Sequence, residues 1–369
     1  MQNATETILE IDLNALGHNY RYLTSKIEKT TKVLAVVKAF GYGSDANVIA
    51  KELVDLGVDY FAVAYSSEGE ALRDQSIETP VLVLHPLPGN FNMIVERCLE
   101  PSIYSRRMLT QFIAFAESKK QEHYPIHLKF NTGLNRLGFS EDDLDWITET
   151  LKKTNAVQVR SAFSHLAASE DLSEAEFTQK QIGQFRTISE KLIAALDYKP
   201  LLHTVNTSGI INYPEAQFDM VRTGIGLYGF GNDSEENKHL KPIATLKTVI
   251  SQIHKIQPGE SVGYNRAYTA KDVERTATLP VGHADGLSRA YGNGTGWVSI
   301  HGKRAPIVGN VCMDMVMIDV SNIDCQEGDE VVVFGANPSA EDLSGAIGSI
   351  PYELLTAISQ RIKRVVCRK

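Results

Sequence analysis

Short runs of β-branched and other apolar residues alternate with amphipathic segments over the first two thirds of the sequence, and this alternation most constrains the fold. We predict strands at eight runs: Val33–Lys38, Tyr60–Tyr65, Val81–His85, Pro101–Tyr104, Ile126–Phe130, Val157–His165, Leu201–Asn206 and Met220–Gly224. Helical periodicity separates most of them, as in Asn47–Leu56 and Ser173–Leu196, and Ser140 is a candidate cap of another helix. Eight strands alternating with helices over roughly 200 to 250 residues predict an α/β fold of the (β/α)8 TIM barrel type. A doubly wound open sheet is the alternative that this pattern leaves open.

The pattern changes after Gly231. Asn232–Leu240 is polar and acidic, as expected of a linker, and β-type runs predominate beyond it. These runs are Ala244–Ile256, Arg275–Val281, Gly296–Ile300, Ala305–Val320 and Glu330–Phe334. We therefore predict a barrel over residues 8–235 and a C-terminal, mainly β domain over residues 236–369. The early run Thr7–Leu13 precedes the first helix of the barrel, so residues 1–12 are candidates to pair with the β domain.

The composition excludes several classes of protein. A formal net charge of -8 argues against nucleic acids and anionic membranes as partners, because both require a basic surface. No apolar run approaches the roughly 20 residues that span a bilayer, and Met1–Glu6 does not resemble a secretory signal. The four cysteines show no CxxC spacing, and the ten histidines form no HxH or HExxH pair. We expect a cytoplasmic protein without a metal site.

Reactive side chains follow several of the predicted strands. In a barrel of this type, the C-terminal ends of the strands face the mouth where chemistry occurs. The residues at these ends are Lys38, Lys129, Ser164-His165, Asn206-Thr207 and Arg222-Thr223-Gly224-Ile225, and Arg136 lies in the loop after the fifth strand. A lysine after a buried apolar strand loses hydration, which favours its neutral amine and covalent binding of an aldehyde. The glycines and hydroxyl groups are suited to binding a phosphate.

The segment Ala35–Gly43 (AVVKAFGYG) resembles the pyridoxal 5'-phosphate (PLP) attachment motif of alanine racemases. Further segments agree with this family in order and spacing: Lys129–Phe139, Ser164–Ala167, Arg222–Gly229, Gly309–Asp314 and Pro351–Arg364. The resemblance spans essentially the whole chain. It implies a homodimeric, PLP-dependent isomerase that racemises alanine and supplies D-alanine for peptidoglycan. A racemase of the same family that acts on serine, lysine or several amino acids stays open, as does a non-catalytic PLP-carrier protein.

The resemblance also implies roles for individual residues. Lys38 attaches the cofactor and acts as the base on one face of the substrate, and Tyr264, contributed by the partner subunit, is the base on the other. The residues implied to contact the cofactor are Lys38, Tyr42, His165, Asn206, Thr207, Arg222, Gly224, Ile225 and Tyr352, with Arg222 facing the pyridine nitrogen. Arg136 and the Met313 amide are expected near the substrate carboxylate. Lys129 matches a lysine that is often carbamylated in this family, and a plain salt bridge is its alternative.

Several positions depart from the usual pattern of the family. Phe40 stands where asparagine is usual, Asn131 where aspartate is usual, His283 in place of a tyrosine and Asn310 in place of a common arginine. None of these changes affects Lys38, Tyr264, Arg136, Arg222 or His165. They bear on substrate breadth and on the access channel, and leave the expected reaction type unchanged.

Overall fold

The computed structural model describes residues 4–231 and 234–369. These residues form two compact units. The barrel unit contains residues 17–41 and 46–240, and the β unit contains residues 42–45, 241–369 and the described residues up to Leu16. Within the described part of the chain, none of the helices combines the length and the hydropathy needed to cross a membrane.

The barrel unit is built on an eight-stranded parallel sheet. After β1 (Ile8–Asp12), which belongs to the β unit, its strands are β2 (Lys32–Val36), β3 (Tyr60–Val63), β4 (Val81–Val83), β5 (Glu100–Ile103), β6 (Tyr124–Lys129), β7 (Val157–Phe163), β8 (Leu201–His203) and β9 (Met220–Thr223). They lie in the order β8-β7-β6-β5-β4-β3-β2-β9. The sheet closes between its ends, because Asp219 N donates to Leu202 O (3.0 Å) and Arg222 N donates to Val205 O (3.1 Å). The predicted barrel is confirmed, and the open-sheet alternative is wrong.

Amphipathic helices follow most of these strands. The helices of the described chain are Leu13–Thr24, Ala46–Asp55, Ser66–Asp74, Phe91–Glu96, Arg106–Ser118, Leu144–Leu151, Ala175–Ala195, Thr207–Asn212, Ser234–Asn237, Ala340–Ala346 and Pro351–Ala357. In Arg106–Ser118 the hydroxyl of Ser105 caps the first turn by accepting from Met108 N (3.3 Å). Its apolar residues recur at helical spacing and are buried, so the sequence periodicity follows from packing against the sheet.

All eight barrel strands end earlier than predicted, and three of these ends concern predicted site residues. β2 ends at Val36, β7 at Phe163 and β8 at His203, so Lys38, Ser164-His165 and Asn206 lie in the loops after these strands. Part of the predicted linker is helical. Asn232 and Asp233 lie outside the described residues, but Ser234–Asn237 forms a helical turn in which Glu236 is buried.

The lining of the barrel differs around its circumference. Leu34, Tyr60, Ala62, Leu82 and Met220 form an apolar cluster that joins β2, β3, β4 and β9. The strands on the other side contribute buried polar side chains, namely Ser102, His127, Ser161 and His203. Hydrogen bonds described below satisfy His127, Ser161 and His203, as is usual for buried polar groups.

The β unit contains a nine-stranded sheet and a separate two-stranded hairpin. Its strands are β1, β10 (Ala244–Val249), β11 (Gln252–Ile256), β12 (Ser261–Val262), β13 (Tyr268–Thr269), β14 (Glu274–Leu279), β15 (Trp297–Ile300), β16 (Lys303–Val308), β17 (Val316–Asp319), β18 (Glu330–Phe334) and β19 (Lys363–Cys367). β1 pairs antiparallel with β10 and parallel with β19. The sequence analysis did not predict β19, because two of its five residues are charged. This strand gains its regular structure by pairing with the buried strand β1.

Candidate active site

Lys38 opens a left-handed turn at the mouth of the barrel. The φ angles of Ala39, Phe40 and Gly41 are 53°, 55° and 61°, a conformation that L-residues seldom adopt in succession. A side chain on Gly41 would bring its Cβ within 2.8 Å of Ala46 N, so both the conformation and the space require glycine here. Runs of unfavourable backbone geometry persist where the surroundings enforce them, commonly at functional sites.

The carboxylate of Glu68 holds this turn. One of its oxygens accepts from Ala39 N (2.6 Å), and the other accepts from Ala64 N (2.7 Å) and Tyr65 N (3.1 Å). Glu68 thereby links the residue after Lys38 to the start of the helix Ser66–Asp74. Burial lowers the pKa of the Lys38 amine, and the charge of Arg136 lowers it further, while Glu68 acts in the opposite direction. The net result favours a neutral, nucleophilic amine.

Lys129 is the second lysine of the site and lies at the end of β6. It is buried, and among the described residues its amine makes no hydrogen bond or ion pair. Lys129 Nζ lies over the ring of Phe163, 5.8 Å from the ring centre. Burial lowers the pKa of this amine to about 8, and the charges of Arg136, Arg222 and Lys38 act in the same direction. A buried amine without a counter-ion is suited to conversion into an anion by CO2.

Asn131 does not contact Lys129 through a hydrogen bond. Its side-chain oxygen accepts from Gly133 N (3.2 Å) and Asn135 N (2.9 Å), and its amide donates to Asn135 Oδ1 (2.9 Å). Asn131, which stands where aspartate is usual, therefore makes its side-chain hydrogen bonds within the loop that carries Arg136. Backbone hydrogen bonds close this loop at its base, from Asn131 N to Phe139 O and from Phe139 N to Lys129 O, both 2.8 Å long.

Arg222 lies on β9 and is 4% exposed. Its Nη1 donates to His203 Nδ1 (2.7 Å) and His203 O (3.3 Å). Its Nη2 donates to Ser164 O and Thr204 O, both at 2.7 Å, and lies 3.1 Å from His165 Nδ1. Within the described chain, Nε is the guanidinium nitrogen that has no acceptor. Burial lowers the pKa of Arg222 to about 9, so it remains a cation at neutral pH.

His165 and the small polar loops complete the barrel side of the site. Burial, together with the charges of Arg222 and Arg136, keeps the pKa of His165 well below its ordinary value, so this ring is neutral. Thr207 is buried, and its Oγ1 accepts from Gly224 N and Gly226 N, both at 3.3 Å. The two loops predicted to bind phosphate are thus brought into contact. Asn206 Oδ1 caps the helix Thr207–Asn212 by accepting from Gly209 N (3.0 Å). Ile225 is buried in the helical turn that follows β9.

The remaining predicted residues belong to the β unit. The rings of Tyr42 and Tyr352 contact each other, with centres 5.9 Å apart. Burial raises the pKa of Tyr42, so its hydroxyl is a neutral hydrogen-bonding group. Tyr264 begins a turn between β12 and β13 and is 73% exposed, and Met313 is 59% exposed. The Met313 amide donates to none of the described residues.

The loop that carries Met313 is tied to two other segments. The Met313 carbonyl accepts from Ala284 N (3.0 Å), and the Cys312 carbonyl accepts from His283 N (2.9 Å). Arg361 donates from Nε to buried Asp285 (2.6 Å) and from Nη2 to Asp314 (2.7 Å). His283 itself is exposed, so its backbone, rather than its side chain, holds this loop.

The sequence analysis missed several groups that organise the site, above all Glu68, His203 and the polar residues behind Arg222. Glu68 had a local signal, since an acidic residue in the first turn of a helix often binds backbone amides. His203 had none, because a histidine inside an apolar run does not indicate its partner.

The chain is similar to proteins of known family over nearly its whole length. The sequence models of the alanine racemase N-terminal and C-terminal domains match residues 11–231 and 243–366. The chain is 35% identical to "Alanine racemase 2" of Caldanaerobacter subterraneus subsp. tengcongensis over 368 residues, which covers 97% of this chain and 94% of the relative. It is 36% identical to "Alanine racemase" of Thermodesulfovibrio yellowstonii over 363 residues, which covers 96% of each.

Solved structures agree with this similarity. The alanine racemase of Clostridium difficile 630 superposes with a TM-score of 0.93 at 31% identity, covering 100% of this chain and 97% of that one. The alanine racemase of Bartonella henselae, described with covalently bound pyridoxal phosphate, gives a TM-score of 0.90 at 28% identity, covering 99% and 100%. These similarities confirm the family that the motifs indicated: the chain belongs to the alanine racemase family.

Proposed function

We propose that this protein is a PLP-dependent racemase that interconverts L-alanine and D-alanine, and that it supplies D-alanine for peptidoglycan. The observation that carries the proposal is the group of Lys38, Lys129, Arg136 and Arg222 at the barrel mouth. The charge of Arg136 lowers the pKa of both lysines, and Glu68 opposes this effect at Lys38. Such a group requires anions from outside the chain, and a phosphorylated cofactor with an amino-acid substrate supplies them.

The residues present fit PLP. Lys38 offers a half-buried amine of lowered pKa for covalent attachment, and Arg222 offers a free Nε–H on an otherwise satisfied guanidinium. When bound, the cofactor withdraws electrons from the substrate and acidifies its Cα–H. Because an arginine can only donate, Arg222 would leave the pyridine nitrogen unprotonated and restrain this withdrawal. Thr207, Gly224, Ile225, Tyr42 and Tyr352 would hold the phosphate, with Asn206 and His165 supporting the same cofactor.

Inversion at Cα needs proton removal on one face and proton delivery on the other. We assign the first face to the Lys38 amine and the second to the hydroxyl of Tyr264 of the partner subunit. The exposure of Tyr264 and Met313 supports this assignment, because their own chain leaves them free to meet a second copy. The neutral His165, bonded to Arg222, would supply the hydrogen bond that lowers the cost of a Tyr264 phenolate. Arg136 and the Met313 amide would bind the substrate carboxylate.

Attachment of the cofactor at Lys38 is tested by borohydride reduction of protein loaded with PLP, followed by peptide mapping. We expect the label on the peptide that contains Lys38. Lys38→Ala should abolish both the label and racemisation, a loss of at least about 10⁴-fold. Lys153→Ala, which removes an exposed lysine, is the control and should change neither. Label on other lysines, with Lys38 unmodified, would disprove the assignment.

Reaction type and substrate breadth are tested together by chiral chromatography. A panel of L-amino acids is incubated with enzyme and PLP, and the appearance of each D-enantiomer is measured. We expect D-alanine to form fastest. Faster racemisation of serine or lysine would move the protein to another specificity within the family, and binding of PLP without any turnover would indicate a carrier.

A further inference from the structure

A continuous chain of side-chain hydrogen bonds crosses the polar side of the barrel from Arg222 to Glu100. Arg222 Nη1 lies 2.7 Å from His203 Nδ1, and His203 Nε2 lies 3.0 Å from Ser161 Oγ. Ser161 Oγ lies 2.6 Å from His127 Nδ1, and His127 Nε2 lies 2.7 Å from Glu100 Oε2. The five hydrogen-bonded side chains lie on β9, β8, β7, β6 and β5, which are successive neighbours in the closed sheet.

The chemistry of the end groups fixes the direction of the first and last bonds, and a neutral His203 sets the direction of the bond to Ser161. A guanidinium only donates, so His203 Nδ1 must be the acceptor. Burial and the charge of Arg222 keep the pKa of His203 well below its ordinary value, so this neutral ring carries its proton on Nε2. That proton goes to Ser161 Oγ, whose own hydrogen then points to His127 Nδ1. His127 donates from Nε2 to the carboxylate, which only accepts.

The chain joins two opposite charges that do not touch. Arg222 is buried, and its terminal nitrogens contact carbonyl oxygens and neutral rings rather than a carboxylate. An isolated buried cation is unfavourable. Aligned hydrogen bonds polarise one another in a medium of low dielectric constant. The Glu100 side chain is 12% exposed at the N-terminal end of β5, where water reaches it and Arg160 and Arg73 lie within its electrostatic range.

The apolar side of the same barrel shows that packing alone does not require this arrangement. Leu34, Ala62 and Leu82 fill the corresponding space with no polar atoms in their side chains. Ser102 on β5 is paired in register with His127 and is also fully buried, but among the described residues its hydroxyl has no partner. The five linked side chains therefore form a specific network, which does not include the buried Ser102 beside them.

We propose that Glu100, acting through His127, Ser161 and His203, positions the Arg222 guanidinium so that its Nε–H alone is left for a ligand. The proposal rests on the proposed function, in which that ligand is the pyridine nitrogen of the cofactor. Glu100 and Ser161 are positioning residues, since neither reaches the mouth of the barrel. Breaking the chain should disturb the hydrogen bond to the cofactor more than substrate binding.

The direction of the chain is tested in the full-length protein without cofactor, by ¹⁵N NMR of the histidine side chains. We expect His203 to be neutral and protonated on Nε2, and His127 to carry a proton on Nε2 towards Glu100. His203 protonated on Nδ1, or cationic, could not accept from Arg222 and would overturn the proposal whatever reaction the enzyme catalyses. This measurement is independent of the proposed function.

The effect on the site is tested with Ser161→Ala and Glu100→Gln, with Ser102→Ala as the matched control. Ser161→Ala removes the central link, and Glu100→Gln keeps the size of the side chain while removing its charge. In protein loaded with ¹⁵N-pyridine PLP, both should shift the pyridine nitrogen resonance and lower kcat by about tenfold with little change in KM. Ser102→Ala should leave the resonance and kcat unchanged.

Two results would contradict the proposal. One is a pyridine resonance and a kcat in both test variants that equal those of Ser102→Ala. The other is an equal loss in all three variants, which would indicate general damage to the barrel. If Ser161→Ala does not fold, Glu100→Gln gives the same readout. A wild-type protein that binds no PLP would instead refute the proposed function, while the histidine spectra would still report on the chain.

Discussion

The barrel unit and the β unit present their candidate residues in opposite ways. In the barrel unit, Arg222 is buried among acceptors from the loops after β7 and β8, and Glu68 holds the turn that begins at Lys38. In the β unit, Tyr264 and Met313 lie on exposed turns, and only their backbone is fixed. The barrel thus pre-organises its own half of the chemistry. The exposed residues of the β unit fit the composite site in a two-fold dimer that we propose.

The strongest test of this difference mixes two inactive proteins. Lys38→Ala and Tyr264→Phe are each expected to be nearly inactive as homodimers, because every site lacks one base. After dissociation and random reassociation, half of the dimers are mixed, and each mixed dimer has one intact site. Racemisation should recover to roughly a quarter of the wild-type rate. If both bases came from the same chain, mixing would restore nothing.

The second prediction concerns the two faces of the substrate. Tyr264→Phe should slow α-hydrogen exchange of L-alanine in D2O by roughly 10² to 10⁴-fold, and exchange of D-alanine much less, because Lys38 still serves that face. Deuterium incorporation into each enantiomer is measured by mass spectrometry. The control is Tyr268→Phe in the same hairpin. The Tyr268 hydroxyl donates to Glu274 Oε2 (2.6 Å). Equal slowing of both enantiomers would exclude Tyr264 as a base for one face.

The third prediction separates function from stability within the barrel unit. Lys129→Met should lower racemisation by about tenfold, because methionine cannot be carbamylated and so cannot supply an anion near Arg136. The same change should raise the free energy of unfolding of the cofactor-free protein by roughly 1–3 kcal/mol at pH 7, since it removes a buried cation. Denaturant titration in CO2-free buffer measures this difference.

The pH dependence gives the sign of that effect. The pKa of Lys129 falls from its ordinary 10.5 to about 8 on folding, so folding disfavours the cation. The destabilisation is complete below about pH 8 and decreases as the pH rises towards 10.5. The stability difference between Lys129→Met and wild type should therefore shrink over this range. A difference that is independent of pH would contradict the buried-cation explanation.

The smallest expected effect concerns Asn310. Its side-chain amide donates to the Tyr264 carbonyl (3.2 Å), and it accepts from Asn293 (3.3 Å). Asn310→Ala should slow only the exchange assigned to Tyr264, by about threefold, the value of one exposed hydrogen bond. Asn293→Ala leaves the bond to Tyr264 in place and should have no such effect. Slower exchange of D-alanine, which is assigned to Lys38, would show that Asn310 does not act through Tyr264 alone.

Much of the fold was predictable because its signals are local. Each of the eight barrel strands overlaps a run that the sequence marks, since strands buried on both faces are largely apolar. β19 was missed because its burial comes from β1, which lies at the other end of the chain. The strand ends at Lys38, His165 and Asn206 were placed too late, because an apolar run does not show where backbone pairing stops.

The sequence by itself determined the family and the barrel and supplied the candidate reactive side chains, because motif order and hydrophobic periodicity are written along the chain. Only the tertiary structure decided how these side chains are supported. The Glu68 contact to Ala39, the lowered pKa of Lys129 and the chain from Arg222 to Glu100 all depend on residues far apart in sequence. Barrel closure brings such residues together, and burial then sets their charge and hydrogen bonding.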